Sequence, residues 1–269
     1  MPNGTLVTHT GDEWDGAADA SWRWEPMLES ALEPVNATLV ELADLQPGQQ
    51  VLDRASGFDE PAASAARRVG PAGSVIVADA QAHGLPEARF DAALWRFGLA
   101  LVPDLASTLK RLAALLAPGG RLAAAVWGPP ARCPALSIPW ATMRQFTEPP
   151  SLPPGAAGLF GLGGEGVIDD ELNFAGFTDV RSRRFSVVFA WESAEQFASF
   201  HQAVAVPLHG GAATVSSECR EQMREALVGI ARARAGPHGG LCLEAEVVVV
   251  VGRRPTQTVG GGPIREEQL

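Results

Sequence analysis

The residues best placed to do chemistry lie in Val51-Leu52-Asp53-Arg54-Ala55-Ser56-Gly57-Phe58-Asp59-Glu60. A short apolar strand over 50–52 runs there into a turn and then an Ala-rich helix over 61–69. Strand, glycine-bearing turn and helix N-terminus are the setting in which bare backbone approaches a nucleotide-type cofactor. Asp53 closes the strand with a carboxylate, and Gly57 is the glycine of the turn. Phe58 and Asp59 set a ring and an acid where only glycine lacks an obstructing Cβ, so the motif is weak. Asp79 ends a second strand and reads either as a ribose-binding acid or as a turn cap. Arg96 ends a later strand on the side where α/β sheets bind ligands, and is the functional candidate there; Trp95 and Phe97 beside it read as core. His201, between Phe197, Phe200 and a helix end, is a candidate general acid or base, with a satisfied buried histidine as the competing reading. The five histidines show no metal-ligand spacing, so no metal is expected, and there is neither a Gly-x-Ser-x-Gly elbow nor a phosphate loop.

The elements that must position these residues alternate. Trp22, Trp24, Met27, Leu28, Leu32, Val35, Leu39 and Leu42 recur at mostly helical spacing. Strands are predicted over 50–52, 74–78, 92–95 and 121–127, with helices over 61–69 and 105–116, the second stopped by Pro118-Gly119-Gly120. That rhythm predicts a doubly wound α/β domain with right-handed crossovers. Residues 128–168, rich in Pro and Gly, read as lid and connector. A helix over 169–175, a strand over 177–190, helices over 193–204 and 216–233 and a last strand over 244–251 follow. The expected organisation is a flexible N-terminus over 1–12, one domain over 13–254 with a helical insertion at 191–236, and a disordered tail over 255–269.

At 269 residues and 46% hydrophobic, the chain can bury one substantial core. A net charge of −10 argues against nucleic acid or an anionic membrane as partner, since both demand clustered cations. The three widely spaced cysteines suit a reducing cytoplasm, and no apolar run approaches the roughly 18 residues of a membrane span. The expected partner is a small apolar organic substrate, with a homodimer or partner subunit left open.

Residues 14–128 resemble a class I S-adenosylmethionine-dependent methyltransferase of the ubiquinone/menaquinone-biosynthesis type. The resemblance is carried by Trp22-Arg23-Trp24-Glu25-Pro26, Leu45 to Asp53, Arg67 to Gly73, Phe90-Asp91-Ala92, Arg96-Phe97-Gly98-Leu99 and Leu116 to Leu122 leading to Trp127. It implies a Rossmann-like fold in which Asp53 and Gly57 hold the methionine end of the cofactor and Asp79 its ribose. Two features depart from the family. Ala55 and Asp59 replace loop glycines, and residues 80–89 are too short for a helix and a strand, because a parallel crossover takes a dozen or more residues. The expectation is therefore a mostly parallel sheet lacking one edge strand, under a helical lid. For function it is a natural-product protein that has lost methyl transfer and needs no cofactor, a cyclase or isomerase using Arg96, His201 or Asp53. An active methyltransferase that uses S-adenosylmethionine, and a non-catalytic paralogue that binds a partner, are the alternatives.

Overall fold

Val51 to Arg54 are buried on both sides of their strand, which places them centrally in a sheet covered on both faces. The computed structural model describes residues 5–8, 22–54, 60–78, 85–146, 156–208 and 216–256, for 5–8, 22 and 204–208 the backbone alone. The strands are β1 (Thr5–Thr8), β2 (Gln50–Arg54), β3 (Ser74–Ala78), β4 (Phe90–Arg96), β5 (Leu116–Trp127), β6 (Thr178–Trp191) and β7 (Leu241–Arg253). They form one sheet in the order β1-β3-β2-β4-β5-β7-β6, parallel from β1 to β5 and antiparallel across β5-β7-β6. The fold is thus α/β and mostly parallel.

Helix α1 (Glu25–Ala43) opens with Pro26 in its first turn, where a missing N–H costs nothing, and ends at Asp44 in the left-handed region at φ 53. Its stripe Leu32, Val35, Asn36, Leu39, Leu42 packs across β5, β6 and β7. The same face of the sheet takes α2 (Ala62–Val69) through Ala62, Ala65 and Val69. The opposite face takes α3 (Leu105–Leu115), which Asp104 caps by accepting from the Ser107 N–H at 2.9 Å, and α5 (Val167–Phe174). The lid carries α4 (Pro134–Met143), and α6 (Ala194–Leu208) and α7 (Ser217–Arg232) lie between β6 and β7. Residues 147–155 of the lid and 257–269 of the expected tail lie outside the described residues.

Two expectations change. The helix stop at Pro118-Gly119-Gly120 is instead part of β5, which starts at Leu116. Gly119, at φ 82, donates to Arg254 O and Gly120 O accepts from the Arg254 N–H, so the turn-like residues are held by the end of β7. The second change concerns the N-terminus. Thr5–Thr8, inside the segment expected to be flexible, pair in parallel with Ser74 to Val77. Residues 79–89 contribute no strand among the described residues, as their length required, yet the edge beyond β3 is filled from the other end of the domain. Local sequence could not show this, because strand pairing is a non-local choice. Deleting residues 1–8 is expected to speed hydrogen exchange at the β3 amides about tenfold while β5 and β7 keep their protection. Unchanged exchange in β3 would mean that β1 does not occupy that edge.

Candidate functional site

Side chains alternate across a strand, so Asp53 and Arg54 leave β2 on opposite faces. Val51 belongs to the core under α1 and α2, and Leu52 to the core under α3 and α5. Asp53 follows Val51 and Arg54 follows Leu52, and both are buried. The Arg54 guanidinium lies 5.3 Å from the centre of the Trp95 ring, the neighbour with which it is in register on β4. Asp59, which could pair with Arg54, lies outside the described residues, as do Gly57 and Asp79 with their expected roles.

Arg96 continues the Ala92-Leu94 face of β4, and therefore reaches the same side of the sheet as Asp53. Its Nη1 donates to Asn36 Oδ1 at 2.9 Å, tying the end of β4 to the middle of α1. Burial lowers the Arg96 pKa, against the charges of Asp53, Glu60 and Glu29, which favour the cation in that order. The structure thus brings two of the expected residues, Asp53 and Arg96, to one place. Asn36, 4% exposed, was not singled out from sequence. Its signal was available, since an amide on the apolar stripe of α1 demands a partner.

Beyond Arg96 the chain turns sharply. Phe97 has φ 65, a region that costs a bulky residue about 1–3 kcal/mol and persists where surrounding structure enforces it. Two contacts enforce it here. The Phe97 N–H donates to Ala125 O at 2.8 Å, and its half-exposed ring stacks on Trp127 with centroids 3.9 Å apart and planes 1° from parallel. Phe97, read as core, does pack against the core that holds Trp127, and the two rings together form a paired aromatic step at the carboxyl ends of β4 and β5. Gly98 makes the turn possible, because a Cβ there would lie 2.1 Å from Trp95 Nε1. Gly98→Ala is expected to destabilise the protein by about 1–3 kcal/mol in urea unfolding, the usual cost of overpacking. A smaller change would mean that the Trp95 ring gives way freely.

The antiparallel strands overhang this rim. Trp127 is in register with Val247 and Trp191 with Leu241, so β6 and β7 continue six residues, roughly 20 Å at ~3.4 Å per residue, past the end of β5. Aromatic rings line that overhang. Trp127 to Phe189 is 6.3 Å between centroids, Phe189 to Trp191 6.0 Å, and Trp191 to Phe197 4.9 Å. Phe200 closes the group against Trp24 at 5.5 Å. His201 lies inside it, 4.5 Å from Phe197, 4.8 Å from Phe200 and 5.5 Å from Trp191. Burial pushes the His201 pKa down from 6.5 to about 3, so the imidazole is neutral at physiological pH. His201 is therefore in the wall over the site, and not at the Asp53–Arg96 pair. Glu246, on β7, anchors the lid below by accepting from Arg132 at 2.9 Å and Arg184 at 3.0 Å, while Arg184 also donates to the carbonyls of Gly163 and Gly164.

No helix among the described residues is long and apolar enough to cross a membrane. Residues 49–124 match a methyltransferase domain family. The chain is 30% identical to nocamycin O-methyltransferase of Saccharothrix syringae, in an alignment covering 60% of this chain and 71% of that one. Among solved structures it is similar to a protein of Bacillus halodurans assigned as a methyltransferase, at a TM-score of 0.50 and 14% identity, over 82% of this chain and 99% of that one. That last likeness concerns the fold alone. The expectation that no cofactor is used finds no support in these similarities.

Proposed function

Because this chain belongs to the class I S-adenosylmethionine-dependent methyltransferase family, we propose that it is a working methyltransferase of a small, largely apolar natural-product acceptor. One observation carries the reading: Asp53 and Arg96 stand on the same face of adjacent parallel strands at their carboxyl ends, with Asn36 holding the guanidinium. The amino-acid end of S-adenosylmethionine bears an ammonium and a carboxylate. A buried acid and a guanidinium are the charges that would hold them. The cofactor, when bound, supplies a methyl group on a positively charged sulfur. The chain supplies placement: Asp53 and Arg96 hold the charged end, and the Phe97–Trp127 step and the aromatic overhang shape an apolar, water-poor space above the rim. The likeness to an O-methyltransferase supports an oxygen acceptor.

Calorimetric titration with S-adenosylmethionine and S-adenosylhomocysteine tests this. Saturable heat near one site per chain is the expected result. A second reading, a cofactor-independent cyclase or isomerase on the same scaffold, is favoured by the short β3–β4 connection, which brings no strand or helix to the rim among the described residues. Absence of heat with both compounds would select it over methyl transfer.

A further inference from the structure

We propose that His201 and Trp191 form the polar end of the acceptor-binding space and recognise a hydroxyl group on a planar, apolar ring compound. The inference names the substrate class of the methyltransferase reading above and rests on that reading.

Both residues are 2% exposed. Among the described residues, neither His201 Nε2 nor Trp191 Nε1 has a hydrogen-bond partner. Buried polar atoms in native proteins are almost always satisfied, and each one that is not bears its full desolvation cost. Trp95 Nε1 is also buried without a hydrogen-bond partner among the described residues, but it lies on the other face of the sheet, packed against Gly98 with the Arg54 guanidinium over its ring. Trp191 and His201 are neighbours, 5.5 Å between ring centres, and the other rings packed directly against them are Phe189, Phe197 and Phe200. Phenylalanines offer no donor or acceptor, so the rings against the pair cannot satisfy it.

The chemistry of the pair selects the ligand. An indole N–H only donates. A neutral imidazole with its proton on Nδ1 accepts at Nε2, and the deep burial of His201 keeps it neutral. A hydroxyl both donates and accepts, and so complements one donor beside one acceptor. Among the described residues burial alone shifts His201, so a carboxylate would meet no cation from them, and an ammonium would find one acceptor and no counter-charge. The rings flanking the pair favour a flat apolar body. The position agrees with this, since Trp191 stands on the overhang past the rim at which Asp53 and Arg96 face the cofactor space. His201 is thus assigned to recognition.

1-Naphthol and naphthalene, which differ by one hydroxyl, are the probes. Binding of each to the full chain is measured by equilibrium dialysis for wild type, His201→Phe and Trp191→Phe. Both variants keep an aromatic ring in the cluster and remove one polar atom. Wild type is expected to prefer 1-naphthol at least tenfold, because a site built for a hydroxyl rejects the analogue lacking it. Each variant is expected to retain naphthalene binding and to lose most of that preference. Equal binding of the two probes by wild type, failure to bind either, or a preference that survives in both variants would overturn the assignment. So would a crystal structure with 1-naphthol in which an undisplaced water bridges the two rings. Calorimetry with S-adenosylmethionine on the same proteins separates the two readings. Unchanged cofactor affinity in the variants is expected, whereas a wild type that binds no cofactor defeats the methyltransferase reading, and the hydroxyl preference is read independently of it.

Discussion

Asp53→Asn is expected to weaken S-adenosylmethionine binding by about 10- to 100-fold, with the chain still folded by circular dichroism. The substitution keeps the shape of the side chain and removes its charge. A charge-assisted hydrogen bond in a buried setting contributes about 1.5–3 kcal/mol, and every 1.4 kcal/mol is a factor of ten. Asp53 also has the largest effect among the charges that favour the Arg96 cation against its burial, ahead of Glu60 and Glu29. Its loss is therefore felt at Arg96, and the two sites should be coupled. Arg96→Leu is expected to weaken binding to a similar degree, and the double variant to lose less than the product of the two single losses. Calorimetry of all four proteins at one pH and ionic strength measures this. Wild-type affinity in Asp53→Asn would remove the acid from the cofactor site and leave it a structural role beneath α1.

The second large effect is on stability in acid. The unfolded chain binds a proton at His201 near pH 6.5, whereas the folded chain resists it until about pH 3, with burial as the cause. Between those limits the unfolded state holds more protons, so the folded state loses stability as pH falls from 6.5 towards 3. The full span corresponds to an order of 4–5 kcal/mol, of which about 2–3 kcal/mol falls between pH 7 and pH 4.5. His201→Phe places a ring of similar size beside Phe197, Phe200 and Trp191 and removes the titrating group. It is expected to lose about 2–3 kcal/mol less than wild type between those two pH values in urea unfolding. The difference isolates His201 from the carboxylates whose pKa values salt bridges lower, such as Glu41 beside Arg183 and Asp44 beside Arg121. Equal acid losses in the two proteins would mean that His201 is already solvated when folded.

Much of the scaffold was legible because it rests on period and punctuation. Strands β2 and β3 read as short apolar runs, and α1 as a stripe of apolar residues at helical spacing. The β5 start was misread, since Pro118-Gly119-Gly120 carries turn chemistry that Arg253 and Arg254 override from across the sheet: Gly119 O accepts from Arg253 Nε at 3.1 Å, and the Arg254 backbone bonds to Gly119 and Gly120. The site was legible in part. Asp53 and Arg96 are polar residues at strand ends, a local signal, and both reach the rim. Asn36 carried a signal that went unused. Phe97 and Trp127 carried none, because two aromatics thirty residues apart in sequence do not reveal that one will adopt a left-handed backbone to lie flat on the other.

The sequence by itself determined the alternation of strands and helices, the shortness of the β3–β4 link and the acid and guanidinium at two strand ends, because each depends on neighbours a few residues away. Tertiary structure alone decided that Asp53 and Arg96 share a face, that Thr5–Thr8 close the sheet beside β3, and that Trp191 and His201 meet in an aromatic wall above the rim. Those outcomes depend on strand register and on packing between residues distant along the chain. A one-residue slip in register would send the strand side chains Asp53, Arg96 and Trp191 to the other face.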